Sequence, residues 1–479
     1  MTTTFAASLR QTIRLGDGIM RHSVAAALSL ALLAGCNTDA PSVPNFNQPS
    51  VDTPPDLAFV QTLATGILIQ SRGNLPGLVS DVGILGRESL NYTPTDGRNT
   101  SAYLGAAQLD NTGFASGGWA GRFTGMRNAA NFLATVDAAA FLTDAQKNAA
   151  RGFAKTFRAM DIFYLLSTRD TLGLPVSIDL VASLPQPFVT RDSAYRFATS
   201  LINEAASDLA AGGAAFPFAL PSGFTPFNTP TTFIRFNRAI AARYQIYQGS
   251  LTCGATCYTA ALTALTGSFI NATAGADLRA GAYNVYSAAA GDALNPLSNP
   301  QSPDQVSHPS IVTDAQSNAG VPDLRMTAKT LTIPAKTPPG TPPPGAPTTV
   351  GFRMYTSNVA PIPVIRNEEL ILLRAEANIG LGNLAAALTD INFVRVNSGG
   401  LAPLGAFASA SEALTALLYE KRYSLLWEGH RWVDLRRYGR LTTLPLDLPN
   451  HFRVRVQPVP QIECLFRATL EAALRAPGC

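Results

Sequence analysis

Residues 419–441, YEKRYSLLWEGHRWVDLRRYGRL, constrain the fold more than any other stretch of the chain. They set nine charged side chains and a histidine among two tryptophans, three tyrosines and four leucines, in a chain where only 14% of residues are charged. A helix over 411–435 would turn successive side chains by about 100°. Leu414, Leu417, Leu418, Leu425, Trp432 and Leu435 then share one face, and Lys421 and Glu428 fall on that same face. A solvated surface would keep its charges off the apolar stripe. Because a buried ion is tolerated only when paired, the pattern implies an internal salt-bridge network, with Arg431–Asp434 and Asp434–Arg437 at i,i+3 spacing. The role it suggests is structural before it is catalytic.

The run E-K-R-x-x-x-L-x-E-G-H-R-W-x-D-L-R-R-x-G resembles the C-terminal signature of the SusD/RagB family, on Glu420, Arg422, Glu428, Gly429, Arg431, Trp432, Asp434, Arg437 and Gly439. Further on, Val456-Gln457-Pro458-Val459-Pro460-Gln461-Ile462-Glu463 resembles the family's closing P-x-P-x-x-E segment. The resemblance implies a mostly α fold, a tetratricopeptide-like helical-hairpin scaffold with large loop-rich insertions. It also implies a surface lipoprotein of the outer membrane that captures a nutrient, a glycan or another oligomer, for a SusC-like TonB-dependent transporter. Neither a reaction nor a cofactor belongs to that function.

The N-terminus agrees with export. Arg21 and His22 precede an apolar run over 24–33 that ends in Leu33-Ala34-Gly35-Cys36. A basic region, a short apolar region and small residues before a cleavage point describe a signal peptide, here 1–35, and Leu-Ala-Gly-Cys resembles a lipobox with Cys36 as the lipidated residue. Met20 is an alternative start to Met1. Residues 36–55 are rich in Pro, Ser, Thr and Asn and read as a flexible tether, leaving 56–479 as one domain. With Cys36 assigned to lipid, Cys253, Cys257, Cys464 and Cys479 remain for disulfides. The Cys253–Cys257 spacing permits a local bridge, and zinc lacks its usual ligand spacing. A net charge of +4 gives no basic surface for nucleic acid.

Helical periodicity is expected first from Thr53, with Pro54 and Pro55 in the opening turn and a stripe of Val60, Leu63, Ala64, Ile67 and Leu68. It returns at 119–136, 144–166, 193–211, 234–249 and 257–268, and most clearly at 366–380 and 384–397. Four hairpin units of about tetratricopeptide size, ~34 residues each, thus lie within 119–268 and 366–441. Two loop-rich insertions interrupt them, 73–118 and 271–350. The second holds the proline-rich run 337–345, which suits an extended loop.

The resemblance places the ligand site in those insertions. Sugars are commonly held by flat aromatic faces and by Asn, Asp and Arg on the hydroxyls, so Tyr92, Arg98, Asn99, Tyr103, Tyr283 and Tyr286 are the candidates. All three tryptophans, Trp119, Trp427 and Trp432, fall on the scaffold, which argues against a broad tryptophan cradle. Gly380-Leu381-Gly382-Asn383-Leu384-Ala385 fits a dinucleotide fingerprint but follows a helix and lacks the preceding strand. Without HExxH or GxSxG, and with its four histidines dispersed, the chain shows no catalytic constellation. Two other readings are an envelope-assembly scaffold and a secreted hydrolase with a site assembled from the loops.

Overall fold

In a computed structural model the described residues are 56–105, 109–113, 117–180, 185–341 and 343–479. The expected signal peptide, Cys36 and the expected tether lie outside them. Helix α1 (Leu57–Leu85) begins on Asp56, whose carboxylate accepts from the Phe59 N–H at 2.8 Å. This cap replaces the expected Thr53 start. The helix also runs through Gly73 and Pro76, where the sequence suggested a loop. Leu75, Val79, Val82, Ile84 and Leu85 are all buried. Their burial, about 1.5–3 kcal/mol for each large side chain, outweighs the roughly 3 kcal/mol that an interior proline costs.

Strand β1 (Ser89–Asn91) and the short α2 (Arg98–Leu104) lead to α3 (Trp119–Ala138), α4 (Asp144–Arg169), α5 (Arg191–Ala210), α6 (Pro230–Gln248) and α7 (Ala255–Thr266). The helix starts are chemically marked. Thr143 and Gln146 form a capping box, Thr190 accepts from Ser193 N–H, and Thr229 caps a helix with Pro230 in its first turn. After α7 the chain forms β2 (Gly281–Asn284), β3 (Gln305–Ser307), α8 (Ser310–Thr313), β4 (Ser317–Asn318), β5 (Val321–Pro322), α9 (Leu324–Lys329), β6 (Thr330–Lys336), β7 (Thr348–Phe352) and β8 (Ile362–Arg366). Then come α10 (Asn367–Gly380), α11 (Leu384–Asn397), α12 (Ala410–Ser424), α13 (Arg431–Arg437) and α14 (Gln461–Ala468).

The long helices stack in a series: α1 on α3, then α4, α5, α6, α7 and α10, with α11 and α12 closing the far end. One large core runs along the stack, and a second, smaller one joins Ile371, Leu372, Ala375, Ile391, Val394 and Leu417 of α10, α11 and α12. In the large core Phe153 lies with its ring 4.9 Å from both Phe157 and Phe218. The described residues all belong to one compact unit, Pro55–Cys479. Among them no helix is long and apolar enough to cross a membrane. Disulfides join Cys253, just before α7, to Cys257 in its first turn, and Cys464 of α14 to Cys479.

Region 271–350 is more ordered than its sequence suggests. It takes part in four antiparallel two-stranded pairs: β4–β5 and β6–β7 are local hairpins, β1–β3 joins it to the first insertion, and β2–β8 ties it to the scaffold. β2 pairs Gly281 with Arg366 and Asn284 with Ile362, which fixes the region to the start of α10. The proline-rich run connects β6 to β7.

The expected helix over 411–435 is broken. α12 ends at Ser424, the chain turns through Trp427 (φ 55°) and Gly429 (φ 85°), and α13 starts at Arg431. A left-handed tryptophan is strained. Its ring stacks on Phe352 at 4.0 Å, with only 8° between the planes, and is 1% exposed. That packing holds the turn.

Candidate ligand-binding cleft

Most charges of the charge-rich stretch are paired inside the protein, whereas Arg440 donates to Thr415 and Ser411 at the surface. Lys421 pairs with Glu376 at 3.0 Å and Asp434 at 2.8 Å, and Arg437 pairs with Asp434 at 2.7 Å and also with Glu376. Tyr438 donates to Glu376 at 2.8 Å. Glu420 is shared by Arg325 at 2.6 Å and Arg395 at 2.9 Å, Glu428 takes Arg366 at 2.9 Å, and Arg422 takes Asp314 at 2.7 Å. Trp432 donates its indole N–H to the Val454 carbonyl at 2.8 Å. One expected pair is absent. With Asp434 occupied by Lys421 and Arg437, Arg431 donates instead to the Gly86 carbonyl at 3.1 Å, pinning α13 to the end of α1.

Two of the dispersed histidines meet around one carboxylate. His308 Nε2 lies 3.0 Å from Asp447, and His308 Nδ1 lies 2.8 Å from the Ser310 hydroxyl. The set is spatially reminiscent of a hydrolytic triad, but it is buried, and the Ser310 oxygen already accepts from Arg422 at 2.8 Å. It offers substrate no exposed nucleophile. Among the described residues no group of three or more His, Cys, Asp or Glu could hold a metal ion.

The six sequence candidates separate into two groups. Tyr92 and Tyr103 are 2% and 6% exposed, so neither presents a ring face to solvent. Tyr92 donates to the Ala346 carbonyl at 2.6 Å, and Tyr103 to Asp81 at 2.7 Å. Burial pushes both hydroxyls well above the usual tyrosine value. Arg98 is exposed and pairs with Asp96 at 2.8 Å, and Asn99 donates to the Asp96 carbonyl at 3.2 Å. The two loop-rich regions do meet at this edge, where Tyr92 anchors the proline-rich hairpin, yet its aromatics face inward.

Tyr283 and Tyr286 lie elsewhere, on β2 and just beyond it. Tyr283 is half-buried, donates its hydroxyl to the Arg279 carbonyl, and borders a cleft of about 430 Å³ between the first half of α1, segment 219–224 and the chain after β2. Gln61 of α1 fixes one wall: its amide oxygen accepts from Ala219 N–H at 2.7 Å and its nitrogen donates to Thr65 at 3.0 Å. Gly223 lets segment 219–224 reach β2, because a Cβ there would sit 2.0 Å from the Tyr283 carbonyl. Leu68, Ile69 and Phe224 supply the apolar surface.

The polar groups of this cleft are unevenly satisfied. Arg72 donates to the Val285 carbonyl at 3.0 Å, pairs with Asp292 at 2.7 Å and lies 5.5 Å above the Tyr286 ring. Asn284 lines the cleft, while its side-chain nitrogen, like the Tyr286 hydroxyl, is buried without a hydrogen-bond partner. Buried donors of this kind carry a desolvation cost. Apolar surface beside polar side chains in a space of this size suits a ring-bearing, hydroxyl-rich ligand. Of the cleft-lining polar residues the sequence pointed only to Tyr283. Gln61, Arg72, Asn284 and Asp292 were missed, although Asn284 sits between the two flagged tyrosines.

Residues 346–462 match the family model described as the SusD family. Among solved structures, surface glycan-binding protein A from Bacteroides thetaiotaomicron superposes with TM-score 0.63 at 13% identity, covering 86% of this chain and 97% of that one. That protein has also been solved in complex with laminarihexaose. A SusD superfamily protein from Bacteroides vulgatus gives 0.62 at 14% identity, over 85% and 96% of the two chains. One from Parabacteroides distasonis gives 0.62 at 12%, over 85% and 97%. No curated protein sequence matches. Residues 346–462 thus carry the sequence of the SusD family, and the chain as a whole has the SusD-superfamily fold.

Proposed function

We propose that this chain is a surface-anchored binding protein that captures a carbohydrate in the Tyr283 cleft and delivers it to a SusC-like TonB-dependent transporter. The observation that carries the reading is a cleft of about 430 Å³ that sets the apolar surface of Leu68, Ile69 and Phe224 beside the polar side chains of Gln61, Arg72, Asn284 and Asp292, with Tyr283 at its border. A sugar offers an apolar ring face and hydroxyl acceptors in alternation, which is the complement of that wall. The fold likeness to a glycan-binding protein solved with a glucan hexamer supports the ligand class. The Leu33-Ala34-Gly35-Cys36 sequence supports a lipid anchor at Cys36 and hence an outer-membrane position. The function requires no reaction and no cofactor.

An oligosaccharide array read with the purified protein, followed by titration calorimetry on the hits, tests the reading. Tyr283→Ala is expected to weaken binding at least about tenfold, or about 1.4 kcal/mol. Equal affinity of Tyr283→Ala and wild type would place the ligand elsewhere. For delivery, co-purification of the anchored protein from solubilised membranes is expected to bring down an outer-membrane transporter; its consistent absence would remove that half of the proposal.

A further inference from the structure

Arg72 and Asp292 are the two charged residues of the cleft wall, and they are not held alike. Arg72 is fixed from several sides. Its side chain is 16% exposed, its Nη1 donates to the Val285 carbonyl at 3.0 Å, and its guanidinium rests 5.5 Å from the centre of the Tyr286 ring. Its contacts to Val285 and to Asp292 both use Nη1.

Asp292 sits on a looser support. Its side chain is 35% exposed, and residues 288–293 are exposed throughout. Their turn is closed by Ser287 N–H to the Ala293 carbonyl at 3.2 Å and passes through Gly291 at φ 85°. The Asp292 carboxylate accepts from the Ala293 N–H at 2.8 Å and from Arg72. These contacts, the Ala293 N–H first, hold its carboxyl below the usual range, so it is ionised at neutral pH.

The cleft therefore pairs a fixed cation with an anion on an exposed turn. A partly exposed ion pair of this kind contributes little to stability, so a competing carboxylate can take the place of Asp292 at small cost. A planar guanidinium also recognises a carboxylate by two parallel hydrogen bonds, stronger than neutral ones. Resting on the carbohydrate reading of this cleft, the geometry points to an acidic sugar, one bearing a ring carboxylate as uronates do, whose carboxylate displaces Asp292 from Arg72 while its ring lies against Tyr283. Asp292 then acts as a specificity gate that occupies the anion position when the cleft is empty.

The experiment compares uronate-containing oligosaccharides with the same oligosaccharides after chemical reduction of their carboxyl groups, on one array and then by calorimetry. At least one acidic member is expected to bind tenfold or more tightly than its reduced counterpart, and the preference to shrink as ionic strength rises. Arg72→Gln is expected to abolish the preference, and Arg72→Lys to leave a weaker one. Asp292→Asn should tighten acidic binding several-fold by removing the competing carboxylate. Equal binding of acidic and reduced members, or a preference that survives in Arg72→Gln, overturns the inference. If only neutral members bind and Tyr283→Ala abolishes that binding, the carbohydrate reading stands and the acidic specificity falls. Absence of binding to either set overturns both.

Discussion

Replacing Asp434 with alanine removes one of two carboxylates that hold two buried cations. Lys421 and Arg437 each contact both Glu376 and Asp434, and every member of this cluster is buried. Without Asp434 one positive charge is left uncompensated, a change that typically costs about 3–5 kcal/mol. An unfolding entropy of about 2.1 cal/mol/K per residue gives roughly 0.9 kcal/mol per kelvin across residues 56–479, so the melting temperature should fall by about 3–6 °C. Urea and thermal unfolding at pH 7, followed by circular dichroism, measure both quantities. Adding Lys421→Met to Asp434→Ala rebalances the cluster to Glu376 with Arg437 and should recover most of the loss. The pH dependence has a defined sign. Burial acts to raise the Asp434 carboxyl, but Lys421 and Arg437 outweigh it and hold the group well below the ordinary carboxylate value. A depressed folded-state value gives stability that is present above the unfolded value of about 3.9 and is lost as pH falls below it. The difference between wild type and Asp434→Ala should therefore narrow below about pH 4. A stability change under about 1 kcal/mol at pH 7, or a double variant no better than the single, would refute the network argument.

Glu88 offers the opposite sign: it is 0% exposed, has no ion-pair partner within salt-bridge distance among the described residues, and burial pushes its carboxyl up to about 8 against the opposing pull of Arg431 and Arg422. Its contribution is present below the unfolded value of about 4.3 and is lost as pH rises through about 8, so Glu88→Gln should match wild type near pH 4 and become the more stable form toward pH 8 in parallel melts. Tyr92→Phe removes the hydrogen bond to Ala346 and should cost about 1 kcal/mol, with faster amide exchange confined to the β6–β7 hairpin and no change in ligand affinity. Cys464→Ser/Cys479→Ser opens a loop of sequence separation 15; a loss of up to about 3 kcal/mol is expected, and proteolysis should report release of α14.

The parts of this fold legible in the sequence are those set by local chemistry. Apolar spacing near 3.6 marked α10 and α11 to within a residue of their ends, and charge lying on an apolar face identified a buried network before any partner was known. What escaped detection depended on tertiary packing. Pro76 reads as a break, yet α1 continues because the residues after it are buried. Trp427 reads as one more face of a helix, yet it takes a left-handed turn because its ring is wanted against Phe352. Short strands such as β2 gain stability only from a partner some 80 residues away, so their own sequence barely signals them. The candidate site divides along the same line. Tyr92 and Tyr283 are the same residue type in similarly irregular surroundings, and only the fold decides that Tyr92 is buried against Ala346 while Tyr283 stays half-buried at the border of a cleft. Arg72 and Asp292 could not be recognised singly, since each acquires meaning from the other across the cleft.

Amide hydrogen exchange with and without a saturating oligosaccharide, chosen from the array hits, tests the central claim most directly because it reports where the ligand sits. Slowed exchange is expected in 219–224 and 281–292, the two irregular walls of the cleft, with the buried helices α4 and α6 unchanged. Protection confined to 92–104 and 337–348, or to any other surface, would contradict the assignment of carbohydrate capture to the Tyr283 cleft.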